Sequence, residues 1–154
     1  MSTARTAATL AAAFVASQVL AVTIHGFILS ADYEPFEGTL LRTAGGDQTP
    51  WQMILLPVAH LAYVSTMVWL HDRLRLEGSL VARGLTLGLV GWLMSQVPLW
   101  VIWYAQQPWP GVLLVKQLGL ELVAMIVVGI VIAAVARAGA SAPVFVPAAG
   151  RPTP

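Results

Sequence analysis

The chain has no cysteine. That removes disulfides, thiolate metal sites, iron–sulfur clusters and thiol nucleophiles together. Charge is almost as scarce: 10% of the 154 residues are Asp, Glu, Lys or Arg, where soluble domains run near 25%. So little charge cannot cover the surface of a water-soluble protein of this size. The balance of charge is also nearly even, with a formal net of +1, which leaves no basic surface for a nucleic-acid backbone. Serine-nucleophile elbows, phosphate-cradling glycine loops, His-Glu-x-x-His helices and dinucleotide fingerprints are missing too.

Long apolar runs take the place of all this, with 58% of the residues hydrophobic. A bilayer core about 30 Å thick needs roughly 20 apolar residues in a helix, and the sequence supplies four such runs, at residues 7–30, 51–70, 81–104 and 111–136. The expected fold is an all-α, integral membrane, up-down-up-down four-helix bundle occupying residues 1–138, with an outer loop at 31–50 and a disordered cytoplasmic tail at 139–154. A signal-peptide reading of the first run suits Arg5 and its small residues. Its apolar stretch exceeds the usual ~7–15 residues and no cleavage box follows, so it is read as a retained span.

Cytoplasmic loops carry the excess of Lys and Arg. Arg5, Arg73, Arg75, Arg83, Arg137 and Arg151 fall on one side of the four spans, and only Arg42 and Lys116 on the other. Both termini are therefore expected inside, in a cell membrane of the bacterial inner-membrane kind, with the lipid bilayer as the first partner. Trp51, Trp100, Trp103, Tyr104 and Trp109 gather at the outer boundary and Trp69 at the inner one, as interfacial aromatics do. His71 falls in the cytoplasmic loop region and is expected to be solvated.

Polar groups inside spans face the bundle interior and mark function by default. Counting about 1.5 Å per residue from each outer end places Gln18, His60, Gln96 and Glu121 at roughly 12–18 Å depth, one per helix. His25 and Lys116 form a shallower tier near 7 Å by the same count. Gln18 and His25 are seven apart, and Gln117 and Glu121 four apart, so each pair shares a face. The expectation is an outward-facing pocket in which Glu121 and His60 exchange a proton or hold a cation or small ligand, for transport or sensing. Interhelical hydrogen bonding alone is the plainer alternative.

Span three carries Gly84, Gly88, Gly91 and Ser95 on one face, the small-residue pattern that lets helices approach closely. It serves packing within the chain, a homo-oligomer seam, or a contact that would make the chain an accessory subunit of a larger membrane complex. Pro57 and Pro98 lie within spans and free the carbonyls of Met53 and Met94. The outer loop holds Asp32, Glu34 and Glu37 with Tyr33 and Phe36, without the calcium-loop spacing. As a lid it would bring carboxylates to His25 and Lys116. No cofactor or metal is expected, although a b-type haem would have to use His25 and His60, the intramembrane pair. Acid–base catalysis by Glu121 and His60 is the enzymatic alternative.

Overall fold

The computed structural model describes residues 1–41, 49–74 and 76–138. Expectations that concern Arg42, Arg75, Arg151 and the tail at 139–154 lie outside the described residues. Within them the chain is all-helical apart from an isolated bridge between Glu37 and Leu41.

Helix α1 spans Thr3–Thr23 and is started by Ser2, whose hydroxyl accepts the Arg5 N–H at 3.4 Å. It begins a turn earlier than its apolar run because a capping side chain, not hydrophobicity, fixes where coiling begins. A π-helical turn at Ile24–Ile28 continues it, closed by the Leu29 N–H on the Ile24 carbonyl at 2.8 Å. A short helix α2, Ser30–Tyr33, and a 3-10 turn at Glu34–Phe36 follow. Helix α3 runs Pro50–Leu74 and contains Pro57. Helix α4, Leu80–Gly91, is capped by Ser79 and leads through a second π turn, Trp92–Gln96, into α5, Val97–Gln106. Helix α6 is Gly111–Arg137.

Pro98 explains the second π turn. It has no N–H for the ladder, and the widened turn just before it, closed by the Val97 N–H on the Trp92 carbonyl, absorbs the misfit.

Four helical stretches, Thr3–Ile28, Trp51–Leu74, Leu80–Gln106 and Gly111–Arg137, are long and apolar enough to cross a membrane. Their outward surfaces are apolar as well, with Val15, Phe27, Ile54, Met94, Val112 and Val115 all exposed. In a bilayer such side chains meet lipid and need no further cover.

Helix α6 packs mainly on α4 and α1, and α1 packs also on α3. A Cβ added to Gly88 would stand 2.5 Å from the Ile126 Cα, and one on Gly84 2.6 Å from the Ile130 Cα. Gly129 reciprocates, its missing Cβ leaving room for the Gly84 carbonyl. These are backbone-to-backbone contacts that only glycine allows. The small-residue face of the third span is thus covered by α6 of the same chain. Gly91 serves a different neighbour, making room for the Met67 side chain of α3. Around this seam Ala13, Val64, Met67, Leu87, Val128 and Ile132 form the main buried cluster.

The segment after α1 folds back on the helix ends while Glu34, Pro35 and Glu37 stay exposed. Leu29 and Ile24 are buried with Trp109, Leu113 and Ala124, and Tyr33, Phe36, Leu40 and Leu41 pack against them. Phe36 lies 5.3 Å from Trp109, ring to ring. Residues 30–41 therefore form a folded cap over one end of α1 and α6. Its alternation of apolar and acidic residues suits helical turns with one face on an apolar cluster. His71 departs from expectation: α3 continues to Leu74, so the ring sits within the last helical turn and its nitrogens are buried without partners.

Candidate functional site

The first π turn sets His25 against α6. Its Nε2 lies 2.9 Å from Glu121 Oε1 and its Nδ1 2.7 Å from the Tyr33 hydroxyl. Gln117, one turn before Glu121 and 2% exposed, donates its amide N–H to the same hydroxyl at 2.7 Å. The Gln117 amide donates to the Tyr33 oxygen, and His25 bridges that hydroxyl and the Glu121 carboxyl through its two ring nitrogens. The cap and the intramembrane carboxylate are joined by this single line of hydrogen bonds.

Tyr33 is buried enough for its hydroxyl to be pushed up to about 12, chiefly by desolvation. The Gln117 hydrogen bond opposes the rise, and the negative charges of Glu121 and Asp32 add to it. Beside it Asp32 accepts from Lys116 Nζ at 2.7 and 2.9 Å.

Glu121 also borders a cavity of about 350 Å³, lined by groups from α1, α3, α6 and the π turn that precedes α5. His60, Ser17, Tyr63, Ser95, Gln96 and Trp100 supply its polar and aromatic wall. His60 Nδ1 is 3.4 Å from the Ser17 hydroxyl, which gives its own proton to the Phe14 carbonyl at 2.8 Å. Ser17 can then only accept from His60, so the other ring nitrogen, Nε2, carries a lone pair. Ser95 turns its hydroxyl back to the Gly91 carbonyl at 2.7 Å. The Trp100 indole N–H is buried with no acceptor.

Of the residues singled out from the sequence, His25, His60, Gln96 and Glu121 border this one cavity. The pairing differs from expectation. Glu121 is bonded to His25 of the shallower tier, while His60 reaches Ser17. Lys116 pairs with Asp32, a loop carboxylate that the lid reading brings to it; five residues from Glu121, it points to another side of α6. Gln18 does not line the cavity, and its amide nitrogen is buried without a partner. A π turn advances less per residue than an α turn, so the stripe through His25 continues to Ala21 and Ser17 instead. With both nitrogens of His25 held, no lone pair is left on it for a haem iron. Among the described residues no three of His, Cys, Asp and Glu converge as around a metal ion.

Tyr33, Ser17, Tyr63 and Trp100 are the members that sequence reasoning passed over. Tyr63 stands three residues from His60, a usable helical spacing, whereas Ser17, eight residues from His25, joins its face only through the π turn. Tyr33 gave none, since only the folded cap brings it to His25. Comparison with known protein families, with curated proteins and with solved structures finds no match, so the site is read from its own geometry.

Proposed function

We propose that the chain is a multi-pass membrane protein that binds a small cationic or polar ligand in the Glu121 cavity, for transport or sensing. The supporting arrangement is an up-down-up-down bundle with both ends cytoplasmic. Contacts that pair Gly84 with Ile130 and Gly88 with Ile126 run in opposite senses along α4 and α6. His25 with Glu121 and Asp32 with Lys116 do the same for the first and last spans. Arg5, Arg73, Arg83 and Arg137 then share one side, which the positive-inside rule makes cytoplasmic. The cavity lies in the opposite, outer half.

One observation carries the reading. Glu121 stands inside a spanning helix, 16% exposed by its side chain, with one oxygen on His25 and the cavity beside it. A carboxylate kept at that depth is costly and is retained for a task. The test is a thermal-shift screen of wild-type and Glu121→Gln protein against one panel of ammonium, alcohol and amide compounds. At least one compound stabilises the wild type and loses its effect in the variant, as a ligand binding only the folded state must. Identical profiles for the two proteins rule the reading out.

A further inference from the structure

We propose that the cavity takes an amphiphilic organic cation, an ammonium head on an apolar tail, admitted sideways from the bilayer between α3 and α5. This rests on the ligand-binding reading above and specifies its chemistry and route.

The route follows from which walls are covered. Over α1 and α6 the cap closes the cavity, with Tyr33 on His25 and Phe36 on Trp109. Between α3 and α5 none of the described residues closes it. Helix α5 has no buried residue, and α3 has none from residue 51 to 59. Leu56 and Leu99 line the cavity while remaining 60% and 44% exposed, and Ala59 beside them is exposed too. The mouth is apolar and faces the side on which a span meets acyl chains. A strongly hydrated ion has no means of crossing such a lip, whereas a molecule already dissolved in lipid does.

The head follows from the charge inside. Among the described residues no Lys or Arg lines the cavity. Lys116 is held by Asp32. Glu121 is thus the carboxyl group on the cavity wall, with one oxygen on His25 and the other not engaged by a Lys or Arg of the lining. His60 Nε2 adds a second acceptor, and the rings of Trp100 and Tyr63 border the same space. A carboxylate, an imidazole lone pair and aromatic faces together suit an ammonium group. The volume of about 350 Å³ holds roughly ten water-sized groups, enough for the head and the first methylenes of a tail that trails out between the helices.

The experiment uses full-length protein in phosphatidylcholine nanodiscs and three probes: octylammonium, methylammonium and octanol. Binding is read as the ligand-dependent Tm shift of wild type minus that of Glu121→Gln. Octylammonium binds at least about tenfold more tightly than methylammonium, the effect of burying roughly two methylenes. Octanol produces no Glu121-dependent shift. Ala59→Trp, a substitution on the exposed lip that leaves the polar groups in place, weakens octylammonium several-fold and serves if Glu121→Gln does not fold. Equal affinity for the two ammonium probes, lost in Glu121→Gln, overturns sideways access by an amphiphile while the pocket itself stands. Octanol matching octylammonium overturns the charged head. Unchanged octylammonium binding in Ala59→Trp overturns the route. If none of the three probes shifts wild-type protein the inference falls, and the broader panel then decides the pocket reading separately.

Discussion

Helix α6 meets two kinds of neighbour along its length. From Ala124 to Ala136 it buries Met125, Val128, Gly129, Ile132 and Ala133 against α4 and α1, with glycine backbones in contact. From Gly111 to Glu121 it buries only Leu113 and Gln117, and its partners are hydrogen bonds and a cap; the cavity begins at Glu121 and runs along Ala124, Met125 and Val128. In lipid no hydrophobic force draws helices together, so close packing and interhelical hydrogen bonds must do so. The two halves divide these means. The tightly packed half supplies cohesion that the other half, with its carboxylate, cannot.

Substitutions on the two halves should separate them. Gly129→Ala has the largest expected effect, because its Cβ would collide with the Gly84 carbonyl and stand 2.9 Å from the Gly88 nitrogen. Backbones must part, and a loss of about 3 kcal/mol, at the upper end of overpacking penalties, should appear as a lowered Tm. Tyr33→Phe comes next, in the hydrogen-bonded half. It strands the buried Gln117 amide and removes the bond to His25, at a cost of about 1–3 kcal/mol.

That variant also carries a pH signature. With its pKa raised from 10.0 to about 12 in the folded protein, Tyr33 keeps its proton longer folded than unfolded. Its contribution is whole below pH 10.0 and is lost as pH rises through about 12. Wild-type Tm should fall more steeply than that of Tyr33→Phe across this window, and parallel curves would count against the burial of Tyr33.

Gly119→Ala tests the same substitution as Gly129→Ala on the same helix, with the opposite sign. Nothing lies within 4 Å of its added Cβ, so removing a helix-interior glycine should stabilise by about 0.5–1 kcal/mol. Destabilisation there would mean that the half bearing Gly119 is as closely packed as the half bearing Gly129. Asp32→Asn should do least. Its ion pair with Lys116 has side chains 33% and 47% exposed, and such pairs contribute about 0–1 kcal/mol.

The spans were legible from the sequence because about 20 consecutive apolar residues have no other use in a chain this poor in charge. The Gly84, Gly88 face was legible as a close-packing surface, but not its partner, since spacing on one helix says nothing of which helix faces it. Depth alone placed His60, Gln96 and Glu121 in one layer with Gln18 and set His25 in a shallower tier, whereas the cavity is bordered by His25 and not by Gln18. Depth could not choose among partners: Glu121 bonds to the shallower His25, and a rotation about the helix axis, which depth ignores, separates Lys116 from Glu121. The outer loop was legible as a lid that brings a carboxylate to Lys116, but its internal order was not. Its short helix and 3-10 turn lack the length that makes periodicity readable, and their order comes from Trp109 and Leu113, far along the chain.

The π turns at Ile24–Ile28 and Trp92–Gln96 have a consequence for descent. Each holds one residue more than a regular turn would, and everything beyond it is turned by roughly 100° relative to an unbroken α-helix. Deleting one residue from the first would swing Tyr33 and Asp32 away from His25 and Lys116 together, which no single substitution does. Among relatives of this chain, gain or loss of the pocket should therefore be recorded as single-residue insertions and deletions at these two places, with the flanking apolar runs unaltered.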